Sequence, residues 1–80
     1  MKIEILAFGI AKDIVGGRTL ALELPNGTTV GRLKEQLCGR FPAFLKLKSL
    51  SVAVNSEYRS DDFLLGEKDE VVIIPPVSGG

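Results

Sequence analysis

The 80-residue chain contains no histidine and no tryptophan, and only one cysteine. Without histidine there is no Ser-His or Cys-His nucleophilic pair, no imidazole metal site and no imidazole pH switch. One cysteine cannot close an internal disulfide, which fits a reducing, cytoplasmic setting. No apolar run approaches the roughly 20 residues needed to cross a bilayer, and Glu4 and Asp13 interrupt any signal-peptide profile at the start. Neither charge sign is in excess, with ten Lys and Arg against ten Asp and Glu. That balance argues against nucleic acid as a partner, since nucleic-acid binders carry a basic excess. Length alone excludes a second domain, because a chain this short buries only about 60 % of its surface in one modest core.

What is present is an ordinary globular mix, 45 % apolar and 25 % charged. Ile3, Ile5 and Ala7 recur at period two over residues 2–8, which predicts a strand. A short helix is expected at 11–15, ended by Gly16-Gly17. Leu20, Leu22 and Leu24 alternate with Thr19, Ala21 and Glu23, predicting a second strand that stops at the turn Pro25-Asn26-Gly27. Thr29 is a suitable N-cap for the main helix. Val30, Leu33, Leu37 and Phe41 fall within an arc of about 80° at 100° per residue. Pro42 disfavours helical geometry at Phe41, so the helix should stop near Arg40.

Residues 43–50 read as an irregular connection plugging the core edge. A strand is expected at 51–55 and a brief extended piece at 57–59, and Ser60-Asp61-Asp62 resembles the capped start of a single turn. The β-branched run 71–74 has the composition of a strand in the middle of a sheet, and Pro75-Pro76 ends its pairing. The fold class is therefore α+β, a mixed sheet of about five strands with one main helix on one face. The other face is left without a cover. Residues 1–76 form the domain, and 77–80 a flexible tail.

Candidate chemistry is sparse. Cys38 lies late in the helix, far from the N-terminal amides that would activate a thiolate, so packing is its expected role. Asp61-Asp62 and residues 67–70 lie in turns where charge is simply solvated. No glycine spacing matches a phosphate-binding loop, and no metal site is expected. At an average glycine usage of about 7 %, a terminal Gly-Gly pair arises by chance in roughly 0.5 % of chains. Gly79 and Gly80 therefore admit two readings, a frayed end or a narrow probe. In the second, proline holds the exit extended, glycine carries no side chain to block a tunnel, and the Gly80 carboxylate is unhindered. Strand alternation also places Leu6, Phe8, Val72 and Ile74 on the uncovered face, where Tyr58 could join them as a partner surface.

These segments together carry a resemblance. The opening ILAFGIAKDIVG, then LPNGTTVGRLKEQL, VAVNSEY and above all DEVVIIPPVSGG resemble the small, sulfur-carrying subunits of molybdopterin synthases, within the ubiquitin-like β-grasp superfamily. The resemblance implies that an ATP-dependent adenylating enzyme activates the Gly80 carboxylate and that a sulfur donor converts it to a thiocarboxylate. It implies further that Val77, Ser78, Gly79 and Gly80 insert into a large catalytic subunit, within a heterotetramer of two copies of each. There the sulfur would pass to precursor Z, a cyclic pyranopterin monophosphate. No stably bound cofactor, nucleic acid or membrane is implied. Phe8, Tyr58 and Ile74 match the family's apolar partner-binding positions, Tyr58 standing where an aliphatic residue is common. A thiamine-pathway or tRNA-thiolating carrier, and a ubiquitin-like adaptor with an inert tail, are the alternatives.

Overall fold

The computed structural model describes residues 1–47 and 50–75. Strands β1 (Lys2–Ala7) and β2 (Thr19–Glu23) form an antiparallel hairpin whose connection holds a short helix, α1 (Ile10–Val15). The main helix α2 (Val30–Arg40) is followed by a 3₁₀ turn (Pro42–Lys46), then β3 (Ser51–Val54), β4 (Glu57–Tyr58) and β5 (Val71–Ile74). The sheet order is β2-β1-β5-β3-β4. The β-branched run 71–74 thus lies at the centre, parallel to β1 and antiparallel to β3.

Alternation decides which residues make the core. Ile3, Ile5 and Ala7 of β1, Val52 and Val54 of β3, and Val71 and Ile73 of β5 are buried on one face. They form a single cluster with Val30, Leu33 and Leu37, one turn apart on α2. Cys38 is half-buried at the edge of this cluster, as expected for a packing residue.

α2 begins and ends where its sequence requires. The Thr29 hydroxyl oxygen accepts from the Arg32 amide at 3.2 Å. The amides of Val30 and Gly31 donate to the carbonyls of Phe63 (2.9 Å) and Asp61 (2.8 Å). The first turn's donors, which a helix cannot satisfy internally, are thereby met by a distant segment. That approach is close: a Cβ at Gly31 would stand 3.1 Å from Asp61 Cβ and 3.2 Å from its carbonyl oxygen. At the far end Phe41 leaves helical geometry (φ −128°, ψ 84°), the extended form that Pro42 imposes on its predecessor.

Two segments depart from the sequence reading. Residues 42–46 form a 3₁₀ turn rather than an irregular connection. Pro42 fits its first position, and Phe44 is buried edge-on against Phe41 at 6.1 Å between ring centroids. Residues 60–63 form a turn closed by Phe63 N–H to Ser60 C=O (3.1 Å) but start no helix. Their backbone is used instead as the strap across the start of α2. The β3–β4 hairpin turns on Asn55 and Ser56, both at positive φ (53° and 71°), the geometry whose twist matches the strands. Asn55 also ties this turn to the residues before β5. Its Nδ2 donates to Asp69 Oδ1 and its Oδ1 accepts from the Glu70 amide, each at 2.9 Å.

Candidate functional site: the open face of the sheet

The strand residues between the core positions point the other way, and no element among the described residues covers them. The register aligns them in one row across all five strands: Thr19, Leu6, Val72, Ala53 and Tyr58. Leu6 and Val72 are half-buried by their neighbours, whereas Tyr58 on edge strand β4 is 69 % exposed. One step towards the end of β5 lies Ile74, opposite Ser51 of β3 and half-buried. Phe8 directly follows β1 and is 56 % exposed. Ala7 is level with Ile73 in the parallel pair, so Phe8 and Ile74 stand at the same end of the sheet.

The three residues expected to bind a partner therefore belong to one apolar surface. Ala53 was not anticipated as part of it. Its signal was available, since it falls between Val52 and Val54 in the same alternation. Ala53 is 6 % exposed yet lies outside the core cluster, and it is paired between Val72 and Tyr58 in the open row.

The patch is polarised along the strands. Lys2 and Glu4 of β1 and Glu23 of β2 occupy the end of the open face where β1 begins, and the apolar residues occupy the end where β1 and β5 finish. At that second end the chain leaves β5 through Pro75, whose ring lies against Gly9: a Cβ at Gly9 would stand 3.7 Å from Pro75 Cγ. Val77, Ser78, Gly79 and Gly80, the expected inserting tail, lie outside the described residues.

Among the described residues no cluster of three Cys, Asp or Glu could hold a metal, and no buried side-chain polar atom lacks a partner. Two concave regions among the described residues are open shelves along the outside of α2, one lined by Arg32, Glu35, Gln36 and Arg40 and the other by the Pro25–Thr28 turn with Arg32 and Gln36. No helix among the described residues is long and apolar enough to cross a membrane.

A mixed five-stranded sheet that grips one main helix and leaves its other face open defines a ubiquitin-like β-grasp protein. The ThiS family model matches residues 5–80, and the chain belongs to that family. Over its full length it is 36 % identical to the molybdopterin synthase sulfur carrier subunit of Arabidopsis thaliana, covering 84 % of that protein. Among solved structures it resembles a putative molybdopterin converting factor, subunit 1, from Pyrococcus furiosus. There the TM-score is 0.86 with 28 % identity, over 96 % of this chain and 99 % of the other. The same fold occurs in a protein–protein complex of subunits 1 and 2 of the molybdopterin-converting factor from Helicobacter pylori 26695. That match has a TM-score of 0.67 and 20 % identity, covering 100 % of both chains.

Proposed function

We propose that this chain is the sulfur-carrying small subunit of a molybdopterin synthase, a carrier that works only in the hands of other proteins. The observation that carries the reading is the apolar patch of Leu6, Phe8, Val72, Ile74 and Tyr58, which runs to the end of the sheet where the chain leaves β5 for Gly79-Gly80. The sulfur carrier subunits among its relatives and the two-subunit complex that shares its fold support the same conclusion.

The chemistry asks little of the chain itself. The Gly80 carboxylate attacks the α-phosphorus of ATP on a separate adenylating enzyme, expelling pyrophosphate and forming an acyl-adenylate. Sulfur from a donor then attacks the carbonyl carbon and AMP leaves, which yields the thiocarboxylate. In the large subunit, where Val77, Ser78 and Gly79 would thread the tail inward, the sulfur passes to precursor Z. Water restores the oxygen of the carboxylate. No general base is needed on the carrier, in keeping with a chain that lacks histidine. The body acts as a handle, and its open face supplies the grip in a cytoplasmic assembly of two carriers with two large subunits.

Incubation with ATP, an adenylating enzyme and a sulfur donor should raise the intact mass by about 16 Da, oxygen replaced by sulfur, and deletion of Gly80 should abolish the gain. An unchanged mass under conditions that load another carrier would leave a ubiquitin-like adaptor with an inert tail.

A further inference from the structure

The zero net charge conceals a separation of charge along the molecule. Residues 57–70 hold six of the ten acidic residues against two basic ones. The fold collects much of this segment at the end where β5 begins. Glu70 immediately precedes β5 and accepts from the Asn55 amide at 2.8 Å, and Asp61 straps the start of α2. The opposite end, where β1 and β5 finish, gathers Lys12 of α1, Arg18 just before β2, Arg40 at the last position of α2 and Lys46 at the last of the 3₁₀ turn. Arg18 is fixed there through its carbonyl, which accepts from the Ala7 amide at 2.8 Å, and α1 packs on both β1 and the 3₁₀ turn. All four side chains belong to exposed residues, and the acidic residues on these elements are Asp13 of α1 and Glu35, five residues before Arg40 on α2. The two ion pairs among the described residues, Lys34–Asp61 and Arg59–Glu57, involve none of them. The eleven residues of α2 span about 16 Å, twice the roughly 8 Å over which physiological salt screens a charge. The two poles therefore act separately.

We infer that this basic pole is an interaction surface, one that steers the tail-bearing end of the carrier onto an acidic rim around the opening of its protein partner. The inference rests on the carrier reading above. Phe8 and Ile74 stand at the same end of the sheet as these four cations, a combination that suits a protein interface, with an apolar core and a polar rim. A polyanion such as nucleic acid would instead meet repulsion from the acidic pole. Charges at a rim act chiefly on encounter, raising the association rate and lending it salt dependence.

The test is stopped-flow association of the full chain with the large subunit of molybdopterin synthase, at about 20 mM and about 500 mM salt. Arg18→Glu with Lys46→Glu should slow association about five- to tenfold at low salt, change dissociation less than about twofold, and lose most of its effect at high salt. Arg18→Gln with Lys46→Gln should give a smaller effect of the same kind, and carries the test if the first pair fails to fold. Glu67→Lys with Glu70→Lys, at the other pole, should not slow association. Equal association rates for the wild type and the folded Arg18/Lys46 variants at low salt would overturn the inference and leave the carrier reading intact. A wild-type chain that does not bind the large subunit at either salt would remove the carrier reading, and the steering role with it.

Discussion

The two faces of this sheet are built from the same strands and nearly the same residue types, yet they do different work. Ile5 and Leu6 are neighbours in β1, but Ile5 is fully buried under α2 while Leu6 lies in the open row between Thr19 and Val72. On the covered face apolar area is removed from water within the chain and contributes to folding. On the open face the chain leaves Phe8 and Tyr58 largely exposed, so that area is available only to a second molecule. Burial, not hydrophobicity, separates the residues that hold the fold from those of the open face.

The sharpest way to break this comparison is to truncate the adjacent pair. Ile5→Ala should cost about 2–5 kcal/mol of folding stability through the cavity it leaves, whereas Leu6→Ala should cost less than about 1.5 kcal/mol. Chemical denaturation of both variants measures the difference, and equal losses would mean that the open face is part of the core. Phe8→Ala tests the other side. It should weaken binding to the large subunit by about 1–3 kcal/mol and shift folding stability by no more than about 0.5 kcal/mol. Titration calorimetry showing an unchanged dissociation constant would take Phe8 out of the interface.

A smaller effect separates the two glycines of α2. At Gly39 a Cβ would meet nothing within 4 Å, so Gly39→Ala should stabilise the chain by about 0.5–1 kcal/mol through helix propensity. At Gly31 the same change drives a methyl group against Asp61, and about 1 kcal/mol of destabilisation is expected instead. Melting temperatures moving in the same direction for both would show that the strap of residues 60–63 does not hold the start of α2.

Most of this architecture was legible in the sequence, because its strongest signals are local. Period two in Ile3-Ile5-Ala7, the 80° arc on α2, its Thr29 cap and its end before Pro42 each follow from spacing or from backbone sterics, and each is found in place. The open patch followed from the same alternation, with Phe8, Tyr58 and Ile74 on it. What could not be read depends on partners far along the chain. The role of residues 60–63 is set by carbonyls meeting amides some 30 residues away, at Val30 and Gly31. The 3₁₀ turn forms because burying Phe44 against Phe41 organises a segment whose own pattern is weak. The basic pole was equally invisible, since it emerges only when α1, α2 and the 3₁₀ turn converge on one end.

The claim on which the account turns is that the Gly80 carbonyl is the working part. Its most direct test follows the intact mass of one preparation through a full cycle, first with ATP, adenylating enzyme and sulfur donor, then with the large subunit and precursor Z. The account predicts that about 16 Da is gained in the first step and given up in the second, as molybdopterin appears. A chain that never gains the mass, or that keeps it while molybdopterin forms, would contradict it.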